Sequence, residues 1–223
     1  MMKNKALIYT VLALMVLTLA GVTFYYWYQS VHYVKTEDAR VDGTIVKVSP
    51  QVSGRISEMS VAEGDAVKEG QIIARQVDFT STPSVNAGAN PELFVVRSPI
   101  NGTVIKKIGN VGEVGVPGQP IVMVADLNSL YITANIEETD LYKVKVGQKV
   151  DFTIDSVPGV KFEGKVVSIG EATTSTFSQL PAQNTSGNFT KVVQRIPVKI
   201  GIKSYQGQRL LPGMNAVVRI YVK

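Results

Sequence analysis

Two stretches of this chain carry their glycines in the same register. The first reads Ser49-Pro50, then Gly54, Gly64 and Gly70-Gln71; the second reads Ser98-Pro99, then Gly102, Gly112 and Gly118-Gln119. Ten residues separate Gly54 from Gly64 and Gly102 from Gly112, and six separate Gly64 from Gly70 and Gly112 from Gly118. The only slippage is one extra residue after Pro50. A short unit that recurs at fixed spacing and is punctuated by glycine predicts two β-rich halves packed about a pseudo-twofold axis. Such an arrangement favours a scaffold over an enzyme.

The apolar bursts inside each copy are short. Ile56, Val61 and Ile72-Ile73-Ala74 in the first correspond to Val104, Val111 and Ile121-Val122-Met123 in the second, and each burst ends at Gly, Pro or Asp. That is the pattern of short strands joined by tight turns. All six glycines, Gly54, Gly64, Gly70, Gly102, Gly112 and Gly118, are read as turn residues, with Gly64-Asp65 and Gly112-Glu113 supplying positive φ. Between the copies, 76–96 is polar, rich in Ser, Thr, Asn, Gly and Pro, and lacks helical periodicity; it reads as a surface loop.

Residues 6–28 contain no charged side chain. As a helix they would span about 34 Å, enough for a hydrocarbon core of about 30 Å. Lys3 and Lys5 flank one end, and Tyr25, Tyr26, Trp27 and Tyr28 crowd the other like an aromatic belt. The positive-inside rule places the N-terminal tail, 1–5, in the cytoplasm and everything after Ser30 outside. The stretch is longer than an ordinary signal-peptide core and its one cleavage-like site, Thr18-Leu19-Ala20, is poor, so an uncleaved single-pass anchor in the cell (inner) membrane is expected.

With 223 residues the chain has room for two small domains beyond the anchor. Of its net charge of +5, Lys3 and Lys5 account for two; the remaining lysines are scattered along β segments, which argues against a nucleic-acid surface. There is no cysteine, which excludes disulfides, thiol catalysis and cysteine–metal sites. After Asp126 the pattern turns to period-2 alternation: around 131–136, at 149–154, at 195–203 and at 216–223, with Pro158-Gly159 and Pro212-Gly213 turns between. A short helical turn fits 138–144, and 173–188 is a long polar loop. The expected fold is mainly β: an anchor at 6–28, a two-half β domain over 36–126, and a small antiparallel β-barrel over 127–223.

Six segments in order now resemble a known family: Thr36-Glu37-Asp38-Ala39-Arg40-Val41-Asp42-Gly43; Ser49-Pro50-Gln51-Val52-Ser53-Gly54-Arg55-Ile56; Arg97-Ser98-Pro99-Ile100-Asn101-Gly102-Thr103-Val104; Glu137-Glu138-Thr139-Asp140-Leu141; the run 187–198, including Phe189 and Gln194-Arg195-Ile196-Pro197-Val198; and Pro212-Gly213-Met214. They are similar to the HlyD-type membrane fusion proteins, or periplasmic adaptor subunits, in the branch of the multidrug-efflux adaptor EmrA. The resemblance implies that the repeats are the half-motifs of a barrel-sandwich (biotinyl/lipoyl-like) domain followed by a β-barrel. It also implies an adaptor for an inner-membrane transporter, in this branch usually a major-facilitator drug:proton antiporter, and homo-oligomerisation around it. Members of the family carry a long α-helical hairpin between the half-motifs. Here the slot holds only 76–96, too short and polar for a coiled coil, which counts against docking to an outer-membrane channel.

Other chemistry is thinly supported. A carrier domain would bear biotin or lipoate on a lysine between the halves, and 76–96 has no lysine; no cofactor and no metal are expected. His32 is the only histidine, so neither a zinc cluster nor a Ser-His-Asp relay can be built on it. Glu137, Glu138 and Asp140 read as acids at a helix start. What remains is contact chemistry: Arg55 and Lys68 in the first half-motif and Phe177, Phe189 and Lys191 around the long loop are candidate partner contacts, and the helix at 6–28 meets lipid. An accessory protein of an ABC-type peptide or bacteriocin exporter, or a stand-alone envelope protein with a ligand pocket in its barrel, are the alternatives.

Overall fold

The computed structural model describes residues 3–78, 91–177 and 193–222. Helix α1 (Lys3–His32) runs directly into β1 (Tyr33–Asp42). The first half-motif forms β2 (Ile45–Val48), β3 (Gly54–Met59), β4 (Ala66–Val67) and β5 (Ile72–Val77). A 3-10 turn at Pro91–Phe94 leads into the second, which forms β6 (Val95–Arg97), β7 (Gly102–Lys107), β8 (Val114–Gly115) and β9 (Val122–Ala125). Then come β10 (Tyr131–Glu137), the single-turn helix α2 (Glu138–Leu141), β11 (Lys149–Ile154), β12 (Phe162–Ile169), a 3-10 turn at Thr174–Phe177, β13 (Arg195–Ile202) and β14 (Asn215–Tyr221).

The half-motifs interleave. One four-stranded sheet has the order β2-β9-β7-β4 and the other β6-β5-β3-β8. Each half therefore gives two strands to each sheet, and neither half can bury its apolar face alone. Their shared core holds Val48, Ile56, Val61, Val67, Ile73 and Ala74 from the first half and Val96, Val104, Ile121, Val122 and Val124 from the second. Adding 48 to a residue number in the first half gives its mate in the second, and the hydrogen bonds obey the same rule. Gly64 N donates to Val104 O and Gly112 N to Ile56 O, both at 2.8 Å. Ser60 N donates to Ile73 O and Ile108 N to Ile121 O, again both at 2.8 Å. Even the β-bulges match: β3 slips its register against β5 between Ile56 and Glu58, and β7 against β9 between Val104 and Lys106.

The second unit is a closed six-stranded barrel, β1-β10-β13-β12-β11-β14. Period-2 alternation puts Ile132, Ala134, Ile136, Val150, Phe152, Ile154, Val198, Ile200, Val218 and Ile220 inside, all 1% exposed or less except Phe152 at 2%. Phe152 and Phe162 stack with centroids 5.4 Å apart. Side chains fill the lumen, as expected of a barrel this small, so it encloses no ligand chamber lined by the described residues.

The structure corrects one boundary. The sequence reading opens the two-half domain at residue 36, but Tyr33–Thr36 and Ala39-Arg40 pair with β14, and Met1–Arg40 group with the barrel. The alternation that would mark β1 as a barrel strand is interrupted: Val34 faces inward, then a register shift between Thr36 and Ala39 moves the inward positions to Ala39 and Val41. The inter-motif loop is also shorter than 76–96, because β5 runs to Val77 and the 3-10 turn and β6 occupy 91–97. The rest of that loop, and the 173–188 loop after Phe177, lie outside the described residues.

Candidate functional site

Four of the six register glycines sit in turns at positive φ: Gly64 at 94°, Gly70 at 79°, Gly112 at 92° and Gly118 at 83°. Gly54 and Gly102 differ. They open β3 and β7, and their need for glycine is close approach: a Cβ on Gly102 would lie 2.5 Å from the Ala125 carbonyl oxygen, and one on Gly54 3.1 Å from that of Val77. These two are strand residues and not the turn residues expected of them.

On this common backbone the two long turns present different surfaces. The first, 60–66, offers Ser60, Glu63 and Ala66; the mates in the second, 108–114, are Ile108, Val111 and Val114, which are 42%, 59% and 48% exposed. Glu63 is held down, its Oε1 accepting the Lys107 backbone N–H at 2.9 Å. Asp65 and Glu113 each close their turn, Asp65 by accepting the Ala62 N–H at 2.8 Å and Glu113 by accepting the Asn110 N–H at 3.0 Å. Glu113 gains a second donor, the Asn110 side-chain amide at 2.9 Å, which holds its carboxyl below the usual carboxylate range. Inside the unit, Gln76 stands where the other half has Val124. Its Nε2 donates to Gly54 O at 3.0 Å and Gly115 O at 3.2 Å, while its buried Oε1 has no partner among the described residues.

Arg55 is exposed on β3, and Lys68 is exposed in a tight turn whose N–H is accepted by Gln71 Oε1 at 2.9 Å. The structure puts them on separate elements of the barrel-sandwich unit. Phe177 ends the second 3-10 turn, and Phe189 and Lys191 lie outside the described residues. Two of the acids at 137–140 have basic partners: Asp140 pairs with Lys143 at 2.8 Å and Glu137 lies 3.9 Å from Arg195, whose Nη1 donates to Asp38. No group of His, Asp and Glu suited to a metal occurs among the described residues.

Helix α1 extends beyond the expected 6–28 at both ends, and its 21-residue span Tyr9–Gln29 is, by length and mean hydropathy, apolar and long enough to cross a membrane. No side chain in that stretch's apolar window is buried: Leu17 is 72% exposed, Leu14 67% and Phe24 64%. Tyr25, Tyr26, Trp27 and Tyr28 occupy successive positions and so encircle the helix near its C-terminal end. Lys3 and Lys5 lie in its first turns. His32 ends the helix with its ring stacked on Tyr28, centroids 4.0 Å apart, in a packing role.

An apolar exposed helix, an interleaved two-half β unit and a filled β-barrel define a membrane fusion protein. The chain belongs to that family of efflux adaptors, which are not enzymes. Residues 44–127 match the profile of the "RND MFP, barrel-sandwich hybrid domain" and residues 130–220 that of the "YknX-like beta-barrel domain". The chain is 40% identical over 192 residues to the "putative efflux system component YhbJ" of Bacillus subtilis, covering 86% of this chain and 81% of that protein. It is 35% identical over 147 residues to the "multidrug export protein EmrA" of Escherichia coli, covering 65% of this chain but only 38% of EmrA. Among solved structures, the membrane fusion protein Spr0693 of Streptococcus pneumoniae shares the fold, with a TM-score of 0.61, 17% identity and coverage of 86% of this chain and 99% of that one.

Proposed function

We propose that this chain is the membrane-anchored adaptor of a drug-export pump, with α1 spanning the cell membrane, the N-terminus in the cytoplasm and both β units outside. Its partner is an inner-membrane transporter, a major-facilitator drug:proton antiporter in the reading that the EmrA likeness favours. The observation that carries this is α1: a 21-residue, predominantly apolar span with its large apolar side chains exposed, joined to a fold that belongs to efflux adaptors. Water would not tolerate that surface uncovered, whereas lipid and the helices of a transporter would cover it. The adaptor works by contact. It holds the β units beside the transporter and biases its states through contacts that differ between them.

We further propose that copies associate through the apolar second turn, Ile108, Val111 and Val114. The polar first turn is its internal control: the same backbone, one half-motif away, has no need of an aliphatic surface.

Photo-crosslinking from positions 25–28 in membranes of the native host tests the reading. The expected product is an adduct with a protein of many spans, whose sequence names the transporter class. Adducts of lipid or of the chain itself alone would refute it, and an ABC subunit in the adduct would replace the antiporter.

A further inference from the structure

The end of the barrel that receives α1 carries an unusual collection of side chains. Chain direction fixes which residues gather there. Strand β1 begins at Tyr33, directly after α1; β14 is antiparallel to it and ends at Tyr221, opposite Tyr33; β11 is antiparallel to β14 and begins at Lys149. The connection from α2 into β11 therefore sits at the same end. Tyr142 and Val146 in that connection are 76% and 63% exposed. Around them stand Lys145, Lys149 and, directly across from Lys149 on β12, Lys165, all exposed.

This presentation is built into the loop. The Gln148 side chain staples it with both amide atoms: Oε1 accepts the Lys145 N–H at 2.8 Å, and Nε2 donates to the Lys143 carbonyl at 3.0 Å. Val144 is buried beneath, 4% exposed, and Lys145 and Val146 after it are exposed. Three of the carboxylates nearby have other partners, although Glu163 also attracts Lys149. Asp140 pairs with Lys143, Glu163 with Lys203 at 3.0 Å, and Asp151 accepts from the Tyr221 hydroxyl. Lys149 and Lys165 face each other across two strands, an arrangement that costs stability between like charges. Among the described residues neither makes an ion pair, and the groove they border is about 880 Å³.

An exposed tyrosine and valine with exposed lysines around them is the chemistry of a lipid–water boundary. Aromatic and aliphatic tips enter the edge of the acyl region, and ammonium groups reach the phosphates. We propose that this end of the barrel rests on the outer leaflet of the membrane that holds α1, with Tyr142 and Val146 at the acyl boundary and Lys145, Lys149 and Lys165 on anionic headgroups. The proposal rests on the anchoring reading above. Its consequence is a barrel held at the bilayer independently of any transporter.

The absence of cysteine makes the test clean, since one introduced thiol is the only label site. The full chain carrying Val146→Cys with a polarity-sensitive fluorophore is reconstituted in phosphatidylcholine vesicles with and without phosphatidylglycerol, and quenching by headgroup-region nitroxide lipid is read. Ser156→Cys, in the connection at the far end of β11, is the control for the opposite end of the barrel, and Leu14→Cys reports insertion of α1. The expected result is quenching at 146 several-fold above that at 156, stronger with phosphatidylglycerol. Each of Lys145→Glu, Lys149→Glu and Lys165→Glu should weaken it by about fivefold. Quenching at 14 with equal signals at 146 and 156 overturns this inference and leaves the anchor standing. No quenching at 14 removes both. Quenching at 146 that ignores headgroup charge and all three lysine reversals also overturns the proposal.

Discussion

The two half-motifs have one backbone and two characters. Their bulges and the hydrogen bonds of their long turns agree across an offset of 48, yet mates differ where side chains meet each other or solvent. Glu63 answers Val111, Ala62 answers Asn110, and the buried Val67–Val124 site of one sheet becomes Gly115–Gln76 in the other. What a fold needs from a repeated unit is thus separable from what an assembly needs. Glycine placement and hydrogen-bond pairing are duplicated, while the surfaces are free to diverge. A symmetric unit with unlike ends can contact its neighbours with polarity.

The strongest challenge to this comparison lies at the strand-opening glycines. Gly102→Ala should cost about 1–3 kcal/mol in thermal or urea unfolding of the full chain, because its Cβ would press on the Ala125 carbonyl at 2.5 Å. Gly54→Ala, with 3.1 Å to its closest neighbours, should cost clearly less. Equal losses would show that the two halves relax alike. The next test is the divergent core pair. Gln76→Val strips the Gly54 and Gly115 carbonyls of their donor and should cost about 1–3 kcal/mol. Gly115→Val alone collides with Gln76 Nε2, 2.5 Å from the new Cβ. The double variant removes the Gln76 collision but not the one with Pro50 Cγ, 2.9 Å from the new Cβ, so it should be more stable than the sum of the singles without reaching wild type. Simple additivity would contradict the equivalence of the two sites.

Smaller effects sharpen it. Gly64→Ala and Gly112→Ala have positive φ and open space alike, so each should lose about 1–2 kcal/mol and the two should agree closely; a large gap between them would break the match. The smallest effect is titratable. Glu113 is held below its ordinary pKa chiefly by the Asn110 side chain. A depressed carboxylate contributes stability that is present above its unfolded pKa and is lost as pH falls through the folded one. Asn110→Ala should therefore lower stability slightly near neutral pH and not at all in strong acid. Ala62, the mate of Asn110, offers no such donor, so Ala62→Gly should lack this pH dependence. A pH-independent loss in Asn110→Ala would refute the assignment.

Much of this was readable in advance. Glycine spacing announced the two matched halves because turns at positive φ and close strand approaches tolerate little else, and the alternation at 149–154 and 195–203 announced barrel strands because one face of each is fully buried. Interleaving was less visible, since strand partners are set by contacts distant in sequence. Strand β1 was assigned to the wrong unit because its bulge interrupts the alternation at Thr36 to Ala39. The dual use of glycine escaped too: Gly54 and Gly102 have the same spacing signal as true turn residues. The exposed apolar turn was hidden because Val111 looked like one more buried strand residue, and only the fold shows it facing out. The lysines at the α1 end of the barrel look scattered in sequence, and strand pairing sets Lys149 opposite Lys165.

The central claim, that equivalent halves do unequal work, meets its most direct test in the assembled mass of the full chain in detergent, measured by sedimentation for wild type, Val111→Glu and Glu63→Val. Each variant places on one turn the residue that the same backbone already carries on the other. The account expects an oligomer that Val111→Glu reduces to single chains and Glu63→Val leaves intact. An oligomer untouched by Val111→Glu would contradict it.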